Sequence, residues 1–265
     1  PLLANPQLGT FYPPNWLTIN LSAPDAIRLS VLLHVVWAAL GAYVLIRALF
    51  TGGDDSRLSA LAAAVLYALG GYVGAHVEQI NQLQGLAWMP WAFWLLHRTL
   101  LADHWRQRTL RALLLSILLA VVIFAGHTQT VFITGVGLGL YAIGQGWLSG
   151  ADGRWRRITS SLLVLMLASV VALLLALPQL LPTLELTGMS NRGGGFSVQQ
   201  ATAFSFNPAY TGRALLPAYD GQLFGEYVAT LGVIGLGLAL VGALAGGRLP
   251  QRRIWIIIAL VGLLF

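Results

Sequence analysis

Apolar stretches of 18 to 25 residues follow one another along this chain, separated by short segments that hold almost all of its charge. A stretch of that length, wound as a helix, covers the ~30 Å hydrocarbon layer of a bilayer. A water-soluble domain draws about a quarter of its residues from the charged types. Here charged residues make up 9% and hydrophobic residues 57% of the 265 positions. The expected fold class is all-α: a polytopic transmembrane helical bundle of about eight spans, the last truncated. The apolar runs place the spans at about 26–50, 57–74, 84–101, 108–126, 128–148, 158–186, 225–246 and from 253 to the end of the chain. The whole of 1–265 reads as one transmembrane domain.

The loops alternate in charge. All fifteen basic residues are arginine, against nine acids, giving a formal charge of +6 and a pI near 10.2. On a soluble protein such a balance would point to nucleic acid. Here the arginines sit in short loops between apolar runs, so nucleic acid is not an expected partner. Arg47 and Arg57 flank the first connection; Arg98, Arg106, Arg108 and Arg111 surround the third; Arg154, Arg156 and Arg157 the fifth; Arg248, Arg252 and Arg253 the seventh. Only Arg28, Arg192 and Arg213 fall on the other side. Short loops rich in arginine stay in the cytoplasm, which orients the chain. With no cysteine there is no disulfide, thiolate metal site or thiol nucleophile.

Residues 1–24 read as an ordered outer loop, because Pro6, Pro13, Pro14 and Pro24 forbid a long helix. Phe11, Tyr12 and Trp16 suit the headgroup zone, where an aromatic body and a polar edge are both satisfied. Asp25 is placed to cap the first span. A long outer loop covers about 187–224, with Gly193-Gly194-Gly195 followed by Ser197-Val198-Gln199-Gln200, a pattern able to start a short helix lying on the membrane. The chain opens in loop sequence and stops inside an apolar run, so it is expected to be an internal piece of a longer protein.

The outer ends of the spans carry a polar set foreign to the rest of the chain: His76, Glu78 and the amides through Gln84; His127, Thr128 and Gln129; Gln179 and Glu185; then Asn191, Arg192, Arg213, Asp220 and Glu226. Polar and ionisable groups at membrane depth are costly unless they face a cavity or each other, which makes them candidates for function. Each has a structural reading beside it. His76 and Glu78 can be a wetted loop end, His127 a satisfied histidine, Glu185 a solvated helix end, Arg192 an exposed loop arginine, and His34 in mid-span a packed histidine. Asp54-Asp55 falls in a turn on the arginine side and reads as solvated. The chain holds no P-loop, G-x-S-x-G or H-E-x-x-H.

Ala4-Asn5-Pro6-Gln7 followed by Phe11-Tyr12-Pro13-Pro14 resembles a segment of bacterial YfhO-like membrane proteins. Gly71-Tyr72 with His76, Ala87-Trp88-Met89-Pro90, Gly126-His127-Thr128-Gln129, and Gln179-Leu180-Leu181-Pro182-Thr183-Leu184-Glu185 leading to Ser190 and Arg192 continue the likeness in order, as do Ala203-Phe204-Ser205 and Glu226-Tyr227. The resemblance implies a glycosyltransferase of the GT-C type in the bacterial cytoplasmic membrane. Such an enzyme takes a sugar from a polyprenyl-phosphate lipid and passes it to a cell-envelope polymer or lipid at the outer face. The chemistry requires a carboxylate to deprotonate the acceptor hydroxyl. It also requires cationic or hydrogen-bonding groups, or a divalent metal ion, at the phosphate leaving group. On the resemblance the catalytic acid is expected upstream of Pro1, with Glu78 the best candidate inside the chain. The substrate-binding candidates are His76, Glu78, His127, Gln129, Gln179, Glu185 and Arg192. The rival reading is a transporter or lipid flippase with a polar cavity, for which polar groups near the bilayer midplane would be expected.

Overall fold

The computed structural model describes residues 2–50, 54–148, 152–190, 195, 197–202, 205–216, 227–245 and 250–263. Among them every regular element is helical. After two 3-10 turns come α1 (Pro13–Trp16), α2 (Ala23–Leu49), α3 (Asp54–Ala68), α4 (Gly71–Ala75), α5 (Ile80–Leu100), α6 (Trp105–Phe124) and α7 (Thr128–Leu148). Then follow α8 (Arg154–Leu175), α9 (Leu177–Met189), α10 (Val198–Ala201), α11 (Thr211–Leu215), α12 (Gly232–Ala245) and α13 (Arg252–Gly262).

Five helical stretches are long and apolar enough to cross a membrane: Ala23–Leu49, Asp55–Ala75, Trp105–Phe124, Thr128–Leu148 and Arg154–Leu175. Their burial pattern is that of lipid-facing helices. On α2, Ser30, His34, Ala38, Leu45 and Leu49 are buried, while Leu32, Val36 and Leu40, four residues apart, form an exposed stripe. Both faces are apolar, so polarity does not distinguish inside from outside as it does on a helix in water. In lipid the exposed stripe costs nothing, and close packing rather than water avoidance holds the helices together. At Gly41 a Cβ would lie 2.6 Å from Trp91 Nε1, so only glycine lets α2 approach α5 this closely.

The helix α5 is the central strut. It matches the spanning helices in length but is more polar, and most of its residues are buried, from Gln82 to Thr99. Phe93, Leu95 and Leu96 from α5 join Leu45 and Leu49 (α2), Leu115 and Val122 (α6), Leu138 and Tyr141 (α7), Leu165 (α8) and Ile254 (α13) in the main apolar core. Neighbouring helices give α5 what lipid could not.

The helices run alternately up and down. At one end, Arg47 (α2) bonds Ser56 (α3), Arg111 Nη1 (α6) donates to the Arg98 carbonyl (α5) at 2.7 Å, and Arg108 Nη2 (α6) donates to Ser160 Oγ (α8) at 2.8 Å. This is the arginine end. The opposite end gathers the start of α5, the start of α7, α9 and the N-terminal segment.

Three expectations are corrected. The stretch read as one span over 158–186 is two helices: Pro178 at the start of α9 cannot continue the hydrogen-bond ladder, and the chain breaks at Ala176. The cap of α2 is Ser22, whose Oγ accepts the Asp25 N–H at 3.4 Å and donates to Asp25 Oδ2 at 2.6 Å. Tyr12 does not sit in a headgroup zone but is fully buried. It is carried into the bundle by the N-terminal segment, which packs against helices instead of lying on a surface. Ser197 does precede a short helix, α10.

Candidate functional site

The N-terminal segment closes the arginine-poor end, and its seat is built from three sequence-distant contacts. Gly126 adopts φ +79° and lies so close to Pro6 that a Cβ there would sit 1.9 Å from the Pro6 carbonyl oxygen. The Gln179 amide donates to the Leu3 carbonyl at 2.9 Å and to Thr183 Oγ1 at 3.1 Å, while Gln179 is 1% exposed. Asn15 Nδ2 donates to the Gly9 carbonyl at 3.1 Å, and its Oδ1 accepts from Gln84 Nε2 at 2.7 Å.

Beneath this plug lies a hydrogen-bonded relay whose donor directions are fixed by chemistry. Trp88 Nε1 can only donate, and it lies 2.7 Å from the Tyr12 hydroxyl. His34 Nδ1 faces the Ser30 carbonyl at 2.6 Å, so Nδ1 carries the proton and Nε2 holds the lone pair. The Tyr12 hydroxyl therefore donates to His34 Nε2, 2.7 Å away. Burial pushes the Tyr12 phenol above its ordinary range, keeping it neutral and able to donate. Trp88, Tyr12, His34 and Ser30 thus form one satisfied chain from α5 through the plug to α2. Sequence reasoning named Tyr12 for the headgroup zone, Trp88 as part of a motif and His34 as a packed histidine, and of these readings the packed His34 is the one that matches, since it is buried. The spacing of Ser30 to His34, one helical turn on an otherwise apolar span, was the available signal.

The expected site residues divide by exposure. His76 is 2% exposed at the end of α4, its Nδ1 donating to the Tyr72 carbonyl at 2.6 Å and its ring 4.4 Å from that of Tyr72. The Tyr72 hydroxyl in turn accepts from Gln82 Nε2 on α5 at 3.3 Å. His127 is half-buried just before α7, and its Nδ1 accepts the Thr130 backbone N–H at 3.2 Å. A serine or aspartate cap would do the same. The Thr130 hydroxyl lies 2.6 Å from that nitrogen, and the Thr130 side chain packs against Gly85 of α5. Glu78, Gln129 and Glu185 are exposed. Asn191, Arg192, Asp220 and Glu226 lie outside the described residues.

His127 and Gln179 therefore flank the plug segment Leu3–Gln7, whereas His76 sits toward Tyr72 and Gln82. Among the described residues, no three of His, Asp and Glu come together in a way that could hold a metal ion. A divalent ion thus has no ready cage among them.

Cavities formed by the described residues lie elsewhere. One, about 290 Å³, is apolar and sits between α2, α3, α5, α7 and α13, lined by Leu45, Tyr67, Met89, Phe93, Val136 and Trp255 among others. Met89 and Pro90, which follow Trp88 on α5, belong to its lining. The other, about 490 Å³, is polar and lies at the arginine end. Neither is lined by the expected site residues.

Among the described residues the chain is thus a helical, multi-pass bundle of the membrane type whose arginine-poor end is covered by its own N-terminal segment. No family model, curated protein or solved structure matches it.

Proposed function

We propose that the chain is part of a membrane glycosyltransferase, an eight-span bundle of GT-C-like arrangement. It would transfer a sugar from a polyprenyl-phosphate carrier to a cell-envelope acceptor at the outer face of the bacterial cytoplasmic membrane. The observation that carries the reading is convergence. The segments that resemble YfhO-like proteins lie far apart in sequence, yet Leu3 meets Gln179, Pro6 meets Gly126 and Tyr12 meets Trp88 at one end of the bundle. That end is the arginine-poor one, outward by the charge rule.

The apolar cavity adds a second support. Its lining includes Met89 and Pro90, next to Trp88 of the polar relay, and it offers hydrocarbon-lined space to a prenyl chain whose phosphate would lie toward the polar end. His76, Glu78, His127, Gln129, Gln179, Glu185 and Arg192 remain the proposed binding set. The exposed carboxylate of Glu78 is the candidate base within the chain. The polar groups cluster toward one end rather than at mid-depth, which favours the enzyme over a transporter.

The test is reconstitution of the protein with a panel of polyprenyl-phosphate hexoses and a cell-envelope extract as acceptor. Release of polyprenyl phosphate coupled to labelling of the acceptor supports the reading. Movement of intact lipid-linked sugar between leaflets without its cleavage would instead establish the flippase.

A further inference from the structure

The polar cavity at the arginine end is lined by Arg108 from α6, Gln145 from α7, and Asp152, Arg156, Arg157 and Ser160 at the start of α8. Three guanidiniums face one carboxylate, a formal excess of two positive charges. The ion pair found among the described residues, Arg28–Asp25, lies at the other end of the bundle.

Three other arginines at this end have partners. Arg111 donates to the Arg98 carbonyl, Arg47 bonds Ser56, and Arg154 lies 4.1 Å over the Trp147 ring. Arg108 is only half used: one terminal nitrogen donates to Ser160 Oγ, while its Nε–H is buried without a partner. A guanidinium also presents its two terminal nitrogens as a fork matched to two oxygens of one phosphate.

The backbone adds to the same field. The 22-residue α8 begins at Gly153, φ +77°, with no side chain capping its first N–H groups. An uncapped N-terminus carries partial positive charge directed at whatever occupies the space before it. Gly153 itself lines the cavity.

We infer that this cavity binds a phosphate-bearing anion, held by Arg108 at its wall and by Arg156 and Arg157 at its rim. The inference does not depend on the glycosyltransferase reading, since it concerns the opposite end of the bundle. The phosphate can belong to a membrane lipid headgroup or to a small soluble anion, and the chemistry of recognition is shared. Arg156 and Arg157 are exposed, so replacing them leaves the core intact.

The experiment uses the protein in neutral detergent and in phosphatidylcholine nanodiscs containing a minor fraction of phosphatidylglycerol. Native mass spectrometry reads retained phosphatidylglycerol, and titration calorimetry reads inorganic phosphate. The double variant Arg156→Gln/Arg157→Gln should bind the anion about tenfold more weakly. Arg108→Lys, which keeps the charge but lacks the fork, should weaken it as well. Arg252→Gln/Arg253→Gln, at the same end but outside the cavity, should leave binding unchanged. Loss confined to phosphatidylglycerol assigns a lipid headgroup; loss of phosphate binding assigns a soluble anion; both support the site. Equal loss in the cavity and control variants, or no preference for phosphatidylglycerol over phosphatidylcholine together with no phosphate binding, overturns it.

Discussion

The side-chain amide of Gln179 donates to the carbonyl oxygen of Leu3, 2.9 Å away across 176 positions of sequence. It ties α9, the last helix before the long loop, to the start of the chain. The other amide atom, Gln179 Oε1, is buried with no partner in the structure. The bond therefore anchors the plug at one end while Tyr12 anchors it at the other.

Gln179→Leu should loosen the plug without unfolding the bundle. The lost bond is worth ~1 kcal/mol, and the Leu3 carbonyl loses its side-chain donor. Hydrogen exchange across residues 2–22 should rise while α5 and α7 stay protected. Unchanged exchange in the plug would show that Gln179 plays no part in holding it.

Tyr12→Phe leaves the shape intact but strands Trp88 Nε1 and His34 Nε2. Unsatisfied buried groups cost ~1–3 kcal/mol each, so the variant should unfold at a clearly lower temperature in detergent. A double-mutant cycle with His34→Phe should show coupling, because the two side chains share one bond. Additive effects would mean that the relay contributes nothing as a unit.

Gly126→Ala should be among the most damaging single-methyl changes in the protein. The residue holds φ +79°, and the added Cβ would fall on the Pro6 carbonyl. A left-handed conformation alone costs a residue with a side chain ~1–2 kcal/mol. Gly135→Ala and Gly139→Ala, where an added Cβ meets nothing within 4 Å, are the matched controls. Thermal unfolding of the three should separate Gly126→Ala from the pair.

The chain holds no cysteine, so single introduced cysteines report sidedness cleanly. Gly188→Cys in α9 should react with an impermeant maleimide on intact cells, and His104→Cys, exposed beside α6, only after permeabilisation. The reverse pattern would turn the bundle over and place the plugged end in the cytoplasm.

Much of the bundle could be read from the sequence because its cause is local. Apolar length and the confinement of arginine to alternate loops are properties of single segments, and five of the stretches they marked are helices long and apolar enough to cross a membrane. The break at Ala176 was half visible, since Pro178 stands in the run, but a proline alone does not say whether a helix bends or stops. The plug was not legible. Tyr12 in an amphipathic-looking loop has the same local chemistry whether it meets headgroups or a buried histidine. What decides is Trp88, 76 positions on, and His34, 22 positions on. The polar candidates were likewise found by type, while their division into buried supports (His76, Gln179) and exposed groups (Glu78, Gln129, Glu185) depends on packing that no single segment contains.

The polarity of α5 has a consequence for how the protein is made. A helix bearing Asn81, Gln82, Gln84, His97 and Arg98 gains little by partitioning alone into lipid. Its acceptable surroundings are proteinaceous, and two of its walls, α6 and α7, are translated after it. During synthesis α5 must therefore wait beside α2, at the insertion machinery rather than in free lipid, until those later helices arrive to enclose it. Assembly of this bundle is in that sense retroactive: the segment at its centre becomes a membrane helix only once its successors exist.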